Sequence, residues 1–272
     1  KVRLTGGEPF ARKGFADFLE RLRAAHPALD IRVTTNGTLI GPHIRTLKAI
    51  GLNAVNLSLD TFDRNKFERV TGRDLFHKVR ENMDALLDAG IPFKLNAVAM
   101  RGFNDDELPA FVDYAMRHPV DVRFIEFMPM GEGTRWSDSC FWPAPDILDA
   151  VKGLVSVAPV EQGQRSGGPA RLYALSGPDG PGLGRLGLIT PLSSHFCTDC
   201  NRLRITSDGA LRTCLFDDRE YRLRNALRHP RLGIEAVRRI VTLATREKPI
   251  GARLLERRRN AVAQRRMTAI GG

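Results

Sequence analysis

Three cysteines in the last third of the chain have the spacing of a metal or cluster site. Cys197 and Cys200 are three residues apart, and Cys214 follows after thirteen intervening residues. Two cysteines spaced in this way bind one metal from a single turn, and a third on the next strand completes a three-thiolate site. The metal stays open at this point. Zinc would take a fourth ligand, for which His195 and Cys140 are candidates, whereas an iron–sulfur cluster held by three cysteines leaves one iron open.

Two arginines lie between the second and third of these cysteines, in the run Asn-Arg-Leu-Arg-Ile. Strand alternation places Arg202 and Arg204 on one face and Leu203 and Ile205 on the other. Arginine binds phosphate through paired hydrogen bonds. Beside a metal site, the pair therefore predicts a polyphosphate site.

Further candidates lie in the first hundred residues. In Gly6-Gly7-Glu8-Pro9, two glycines let a ligand approach the backbone, and the carboxylate would suit a ligand that carries an ammonium group, such as an amino acid. Lys94 lies within an apolar strand, and a lysine facing a barrel interior needs an anion. The alternatives are that the glycines only form a turn and that Lys94 lies on an outward or edge face.

Strands and helices alternate around these residues. The patterns predict strands at about 1–5, 31–35, 54–60, 93–100 and 121–127, and helices at about 15–25, 42–50, 77–89 and 105–117. Parallel strands joined by helices indicate an α/β barrel or a doubly wound sheet, with loops meeting at the carboxyl ends of the strands.

After residue 131 the alternation lapses. We predict a helix near 144–152, strands near 154–160 and 171–175, two short strands that flank the cysteines between 186 and 214, and helices from about 233. The predicted domains are therefore residues 1–130 and a loop-rich region, residues 131–272.

Charge is unevenly distributed along the chain. The formal net charge is +11, and residues 197–272 hold 18 of the 42 basic and 8 of the 31 acidic residues. This surplus indicates an anionic partner, which nucleic acid, a membrane surface or a phosphorylated small molecule could supply. No apolar run approaches the roughly 20 residues of a spanning helix, and nothing indicates secretion, so we expect a cytoplasmic protein. The chain opens inside a strand pattern without an initiator Met, and we expect it to be a fragment that lacks its N-terminus.

Several motifs together resemble one enzyme family. They are residues 1–9 (KVRLTGGEP), 34–37 (TTNG), 56–60 (NLSLD), 124–128 (FIEFM), the cysteine motif and residues 270–272 (IGG). GGEP alone is typical of the radical S-adenosylmethionine (SAM) superfamily, whereas the cysteine motif and the Gly-Gly end are more specific. Over essentially its whole length the chain resembles the GTP 3′,8-cyclase family, which acts in molybdenum cofactor biosynthesis.

The resemblance implies an incomplete (β/α)6 TIM-like barrel, here without its first strand–helix unit, followed by a region with an auxiliary [4Fe–4S] cluster. Cys197, Cys200 and Cys214 would hold that cluster, and the residues implied to contact SAM are Gly7, Glu8, Ser58 and Met128. The residues implied to contact GTP are Arg3, Thr34, Lys94, Arg202, Leu203 and Arg204. Gly271 and Gly272 would reach the active site, and no side chain is singled out as catalytic.

In this family, reductive cleavage of SAM yields a 5′-deoxyadenosyl radical that removes the ribose 3′ hydrogen of GTP, and the substrate radical then adds to guanine C8. A second [4Fe–4S] cluster would need a Cys-x3-Cys-x2-Cys motif that these residues lack, so we expect the chain alone to hold one cluster and to be inactive. Besides GTP, the implied partners are cyclic pyranopterin monophosphate synthase and an electron donor such as flavodoxin or ferredoxin. A homodimer stays open, and neither a membrane nor nucleic acid is expected.

Two other interpretations of the sequence are open. One is a peptide-modifying radical SAM enzyme with auxiliary clusters, although such enzymes usually carry more cysteines in this region. The other is a zinc-containing basic nucleic-acid-binding protein, although residues 1–196 are nearly neutral and aromatic residues are few for a stacking surface.

Overall fold

The computed structural model describes residues 1–130, 134–161, 168–198, 200–251 and 253–254. The chain divides into two compact units, the first comprising Lys1–Phe127 with Ser139–Thr190 and the second Met128–Asp138 with the described part of Pro191–Gly272. Within these residues, no helix is long and apolar enough to cross a membrane.

The first unit is built on one mostly parallel sheet. Its strands are β1 (Val2–Leu4), β2 (Ile31–Thr35), β3 (Ala54–Ser58), β4 (Phe93–Ala99), β5 (Asp121–Glu126), β6 (Ser156–Pro159), β7 (Arg171–Gly177) and β8 (Gly180–Ile189). The sheet order over the described residues is β1-β2-β3-β4-β5-β8-β7-β6. Strands β1 to β5 and β8 pair in parallel, while β7 is antiparallel to β8 and β6 to β7.

Helices connect the parallel strands. They are α1 (Phe15–Ala25), α2 (Ile44–Ala49), α3 (Arg64–Thr71), α4 (Phe76–Asp88), α5 (Leu108–Arg117) and α6 (Ala144–Lys152). Helix α5 shows why they form, because Leu108, Phe111, Val112 and Ala115 recur at helical spacing and all are buried. Strand β2 shows the complementary period of two, with Ile31 and Val33 buried in the core.

The predicted domains, residues 1–130 and 131–272, stay a prediction, and the two compact units of the structure have other bounds. Residues 139–190 belong to the first unit, because β8 pairs with β5 in register from Asp121↔Arg185 to Ile125↔Ile189 and so extends the same sheet. The returning strand was hidden by its glycines at 180, 182 and 184, which interrupt the apolar alternation. The mixed α/β class is confirmed, whereas the incomplete barrel remains a prediction.

The second unit carries a small antiparallel sheet and two helices. Strand β10 (Ala210–Arg212) lies between β9 (Arg204–Ile205) and β11 (Tyr221–Arg222), and α7 (Leu223–Arg228) and α8 (Gly233–Arg246) follow. Helix α8 packs Val237, Ile240 and Val241 against a buried group that contains Leu211 and Leu223. This packing holds the strands on either side of Cys214.

Candidate functional site

Polar side chains occupy alternate positions on one face of the first unit's sheet. The register places Thr34 beside Asn56, Asn56 beside Lys94 and Lys94 beside Asp121. Residues two apart on a strand share a face, so Asn96 lies on this face too. The strands therefore bury apolar residues on one side and present a polar row on the other.

The centre of this row is a group that we call the basic cluster, formed by Lys94, Asp121, Arg123 and Arg185. Asp121 accepts hydrogen bonds from Arg185 Nε at 2.8 Å and Arg123 Nη2 at 3.1 Å, and Lys94 Nζ lies 3.6 Å from its Oδ2. Lys94, Asp121 and Arg123 are buried, with relative exposures of 8%, 7% and 4%. Three cations therefore contact one carboxylate, so positive side chains are concentrated at this place.

Electrostatics make Lys94 sensitive to an anion. Burial, followed by the nearby charge of Arg123, lowers the pKa of Lys94 to about 8, although Asp121 raises it. Asp121 keeps a lowered pKa despite its burial, because it is hydrogen-bonded to Arg185 and faces several cations. A bound phosphate would stabilise the ammonium form of Lys94.

Two buried amide oxygens add hydrogen-bonding capacity to the same face. Asn56 Oδ1 and Asn96 Oδ1 are buried without a hydrogen-bond partner among the described residues. Asn56 Nδ2 donates to Thr34 Oγ1 at 3.5 Å. Buried acceptors without partners are costly, and a ligand hydroxyl or N–H group would satisfy them.

Glu8 ties the loop after β1 to the end of β2. Its Oε1 accepts hydrogen bonds from Phe10 N at 3.1 Å and Thr35 Oγ1 at 2.8 Å, and its Oε2 accepts from Asn36 N at 2.8 Å. The structure thus gives Glu8 a fixed position that the sequence did not indicate. Its contact with SAM stays a prediction.

The loops near Glu8 leave room for a ligand. A Cβ added to Gly7 would meet nothing within 4 Å. Ser58, at the end of β3, is exposed. Arg3 is also exposed, and the sheet register places it beside Arg32 at the edge of the polar row. These three residues have the access that contact with a ligand requires.

In the second unit, the cysteines lie in one neighbourhood. A turn joins Cys197 to Cys200, with Cys200 N donating to Cys197 O at 3.4 Å, and Cys214 follows β10. Burial raises the pKa of Cys214, and the nearby Cys197 thiol adds to this effect. Burial opposes ionisation of Cys200 as well, but hydrogen bonds from Arg202 outweigh it and lower the pKa of Cys200 to about 7.

The two predicted arginines lie next to these thiols. Arg202 stacks its guanidinium 4.8 Å from the centre of the Phe196 ring. Burial, then the charge of Arg202, lowers the pKa of Arg204 to about 10, while Cys200 and Cys214 raise it. Leu203 is 39% exposed, whereas Arg202 and Arg204 are half-buried. Positive charge from these arginines therefore lies near Cys200 and Cys214.

This donor set fits an iron–sulfur cluster by its chemistry. All three cysteines are free thiols, and the nearby cations would offset the negative charge of a thiolate-bound cluster. Over the ranges that the structure describes, no three His, Cys, Asp or Glu side chains stand close enough together to hold one metal ion. Cys140, a candidate fourth zinc ligand, belongs to the first unit, and His195 places its Nδ1 2.8 Å from Pro191 O.

The remaining predicted residues have simpler placements. Met128 belongs to the second unit and packs in an apolar group with Met130, Cys214 and Phe216. Gly271 and Gly272 lie outside the described residues. Sequence reasoning missed Asn56, Asn96, Asp121, Arg123 and Arg185. The signal was present, because polar residues recur at every second position in four neighbouring strands.

Two family models match the chain. Residues 1–115 match the radical SAM superfamily and residues 120–254 match molybdenum cofactor synthesis C. A pyruvate-formate lyase-activating enzyme domain from Bacteroides vulgatus aligns at 13% identity and a TM-score of 0.43, covering 55% of this chain and 88% of that one.

Curated relatives named GTP 3′,8-cyclase match over most of both sequences. The protein from Alkaliphilus oremlandii is 40% identical, covering 100% of this chain and 81% of that one. The protein from Pelotomaculum thermopropionicum is 39% identical, covering 100% and 82%. The protein from Syntrophomonas wolfei is 40% identical, covering 92% and 75%. The chain therefore belongs to the GTP 3′,8-cyclase family of radical SAM proteins.

Proposed function

We propose that the chain acts as the GTP 3′,8-cyclase of molybdenum cofactor biosynthesis and that the basic cluster binds the phosphates of GTP. The observation that carries the proposal is the charge of this buried face, where Lys94, Arg123 and Arg185 share Asp121. Burying cations is costly unless an anion compensates them. Lysine and arginine side chains gathered at one place suit the phosphates of a nucleotide, and this fits the family to which the chain belongs.

The remaining polar groups suit the rest of a nucleotide. Asn56 Oδ1 and Asn96 Oδ1 lack partners among the described residues and can accept hydrogen bonds from hydroxyl or N–H groups. Arg3 and Thr34 belong to the same proposal, since Thr34 is part of this row and the register places Arg3 at its edge, beside Arg32. Held at its phosphates and at these acceptors, the substrate would be oriented before reaction, which lowers the entropic barrier.

The cofactor assignments are part of the proposal. When bound, SAM with its [4Fe–4S] cluster supplies the radical that removes a hydrogen atom from the ribose. Gly7, Ser58 and Met128 would contact SAM, while Glu8 holds the loop that carries Gly7. The auxiliary [4Fe–4S] cluster would be held by Cys197, Cys200 and Cys214.

In the second unit, Arg202, Leu203 and Arg204 are the residues proposed to contact GTP. Arg202 is held in place by its stacking on Phe196, so it would lose little conformational freedom on binding. The same proposal includes the incomplete barrel, an electron donor such as flavodoxin or ferredoxin, and cyclic pyranopterin monophosphate synthase as a partner. It leaves a homodimer open. Nucleic acid is not part of this proposal.

Calorimetry with GTP and guanosine at pH 7 tests the phosphate assignment. Lys94→Gln should weaken GTP binding by about 1.5–3 kcal/mol, the scale of a hydrogen bond to a charged group, and should leave guanosine binding unchanged. Lys152→Gln, which changes an exposed lysine paired with Asp149, is the control. Guanosine binding as tight as that of GTP, or equal GTP affinity of both variants, would refute the assignment. Arg202→Ala and Arg204→Ala should each weaken GTP binding by a similar 1.5–3 kcal/mol, about 10- to 150-fold in Kd.

Anaerobic reconstitution tests the cluster assignment. These residues alone should take up about four irons and four sulfides per chain, the content of one [4Fe–4S] cluster. Cys214→Ala should lose them. Stoichiometric zinc without sulfide would instead favour the zinc protein.

A further inference from the structure

Lys248 directs its ammonium group at the second cysteine of the motif. Its Nζ donates to the carbonyl oxygens of Cys200 and Arg202, the latter at 2.9 Å, and lies 3.4 Å from Cys200 Sγ. An ammonium has three protons to donate, and three acceptors of this one segment receive them. Lys248 therefore fixes the Cys200–Arg202 segment and does not act as a solvated surface lysine.

Gly251, three residues later, lies against the third cysteine. A Cβ added there would stand 2.9 Å from Cys214 Sγ and 2.8 Å from Phe216 Cδ2. Contacts under 3.0 Å require a neighbour to move, and both neighbours are buried. Glycine at this position thus lets the chain pass directly beside the Cys214 thiol.

From these contacts we infer that residues 248–251 form a clasp over the auxiliary cluster ligands, in which Lys248 is a positioning residue for Cys200 and Gly251 makes room for Cys214. The inference rests on the proposed function, because it assigns the clasp to the cluster held by these cysteines. It gives a role to the Lys-Pro-Ile-Gly run of residues 248–251, which the assignments of cluster and substrate ligands made above do not use.

The chemistry of lysine suits this position. A compact ammonium can direct its donors at two carbonyls and a sulfur, whereas the planar guanidinium of arginine presents its donors in one plane. Hydrogen bonds and positive charge beside cluster sulfurs stabilise the reduced, more negative cluster and so raise its reduction potential. Loss of Lys248 should therefore loosen the cluster and lower that potential.

The test compares Lys248→Met, Lys248→Arg and Gly251→Ala with wild type, and uses Lys152→Met as a control because Lys152 is exposed and distant in sequence. Each reconstituted chain is assayed for iron and sulfide, for cluster loss to an iron chelator, and for cluster potential by dye-mediated titration followed by electron paramagnetic resonance. Circular dichroism verifies that each variant is folded.

We expect Lys248→Met to lose its cluster about 10-fold faster or more, the typical effect of removing an outer partner of a metal ligand, and to show a lower potential. Lys248→Arg keeps the positive charge but not the three contacts. Its cluster potential should therefore stay closer to that of wild type than its rate of cluster loss to the chelator. Gly251→Ala should bind less iron. Equal chelation rates and potentials in Lys248→Met, wild type and Lys152→Met would overturn the inference.

Hydrogen exchange on the apo chain separates this inference from the proposed function. The Lys248 contacts exist without a cluster, so Lys248→Met should speed amide exchange at residues 200–204, while Lys152→Met should not. If wild type assembles no cluster, the proposed function fails, yet faster exchange would still establish that Lys248 positions this segment. If wild type assembles a cluster and Lys248→Met changes neither exchange nor chelation, only the clasp fails.

Discussion

Asp121→Asn is the most informative change in the first unit, because it removes the carboxylate that three cations share while keeping nearly the same shape. Removing one partner of a buried ion pair costs about 3–5 kcal/mol. Two of the three cations can reduce this cost. The Arg185 side chain is 32% exposed and can be hydrated, and Lys94, with a pKa of about 8, can release its proton at pH 7 for about 1.4 kcal/mol.

Arg123 can neither be hydrated in place nor lose its charge. Its side chain is 5% exposed, and arginine does not deprotonate in proteins. We therefore expect the low end of the range, a loss of about 3 kcal/mol in the free energy of unfolding. At 2–4 °C per kcal/mol this corresponds to a midpoint of thermal unfolding lower by roughly 6–12 °C.

The assay is thermal and urea unfolding at pH 7, followed by circular dichroism. Asp113→Asn is the matched control, because its exposed carboxylate pairs with Arg117 one helical turn away and should contribute only about 0.3–0.5 kcal/mol. Asp121→Asn should also gain more stability than wild type from added triphosphate, since it removes a negative charge that would repel the phosphates. The reasoning is refuted if the two variants unfold within about 1 kcal/mol of each other, the scale of an exposed pair.

Three further outcomes are expected. Glu8→Gln weakens the charged hydrogen bonds to Thr35 and its neighbours. It should lower the free energy of unfolding by about 1.5–3 kcal/mol and lower SAM affinity, and an unchanged midpoint of unfolding would contradict this expectation. Gly37→Ala should destabilise by about 1–2 kcal/mol, because Gly37 has φ +79° and a Cβ would stand 3.1 Å from Leu57; chemical denaturation measures this, and no loss would count against the steric argument. The lowered pKa of Lys94 means that the unfolded chain binds more protons than the folded chain between about pH 8 and 10. The free energy of unfolding should therefore rise with pH over this range, and it should rise more in wild type than in Lys94→Met. Parallel pH profiles of the two proteins would argue against the lowered pKa.

Local patterns predicted much of the first unit. Apolar spacing predicted the helix over residues 15–25, which the structure has as Phe15–Ala25, and alternation predicted the strand at 93–100, observed at Phe93–Ala99. Helix α3 was missed because its eight residues include Phe67 as the sole large residue that the structure buries. A pattern shows an element only when enough of its residues face a core.

The sequence by itself determined the family, the alternation of strands and helices in the first 130 residues and the cysteine motif, because each depends on residues close together in the chain. Only the tertiary structure brought Arg185 to Asp121 and Lys248 to Cys200, pairs that are 64 and 48 residues apart. Those contacts depend on which strands and turns become neighbours, and local periodicity carries no such information. The physical reason is that β8 joins β5 across an intervening hairpin, and the end of α8 returns to the cysteine turn.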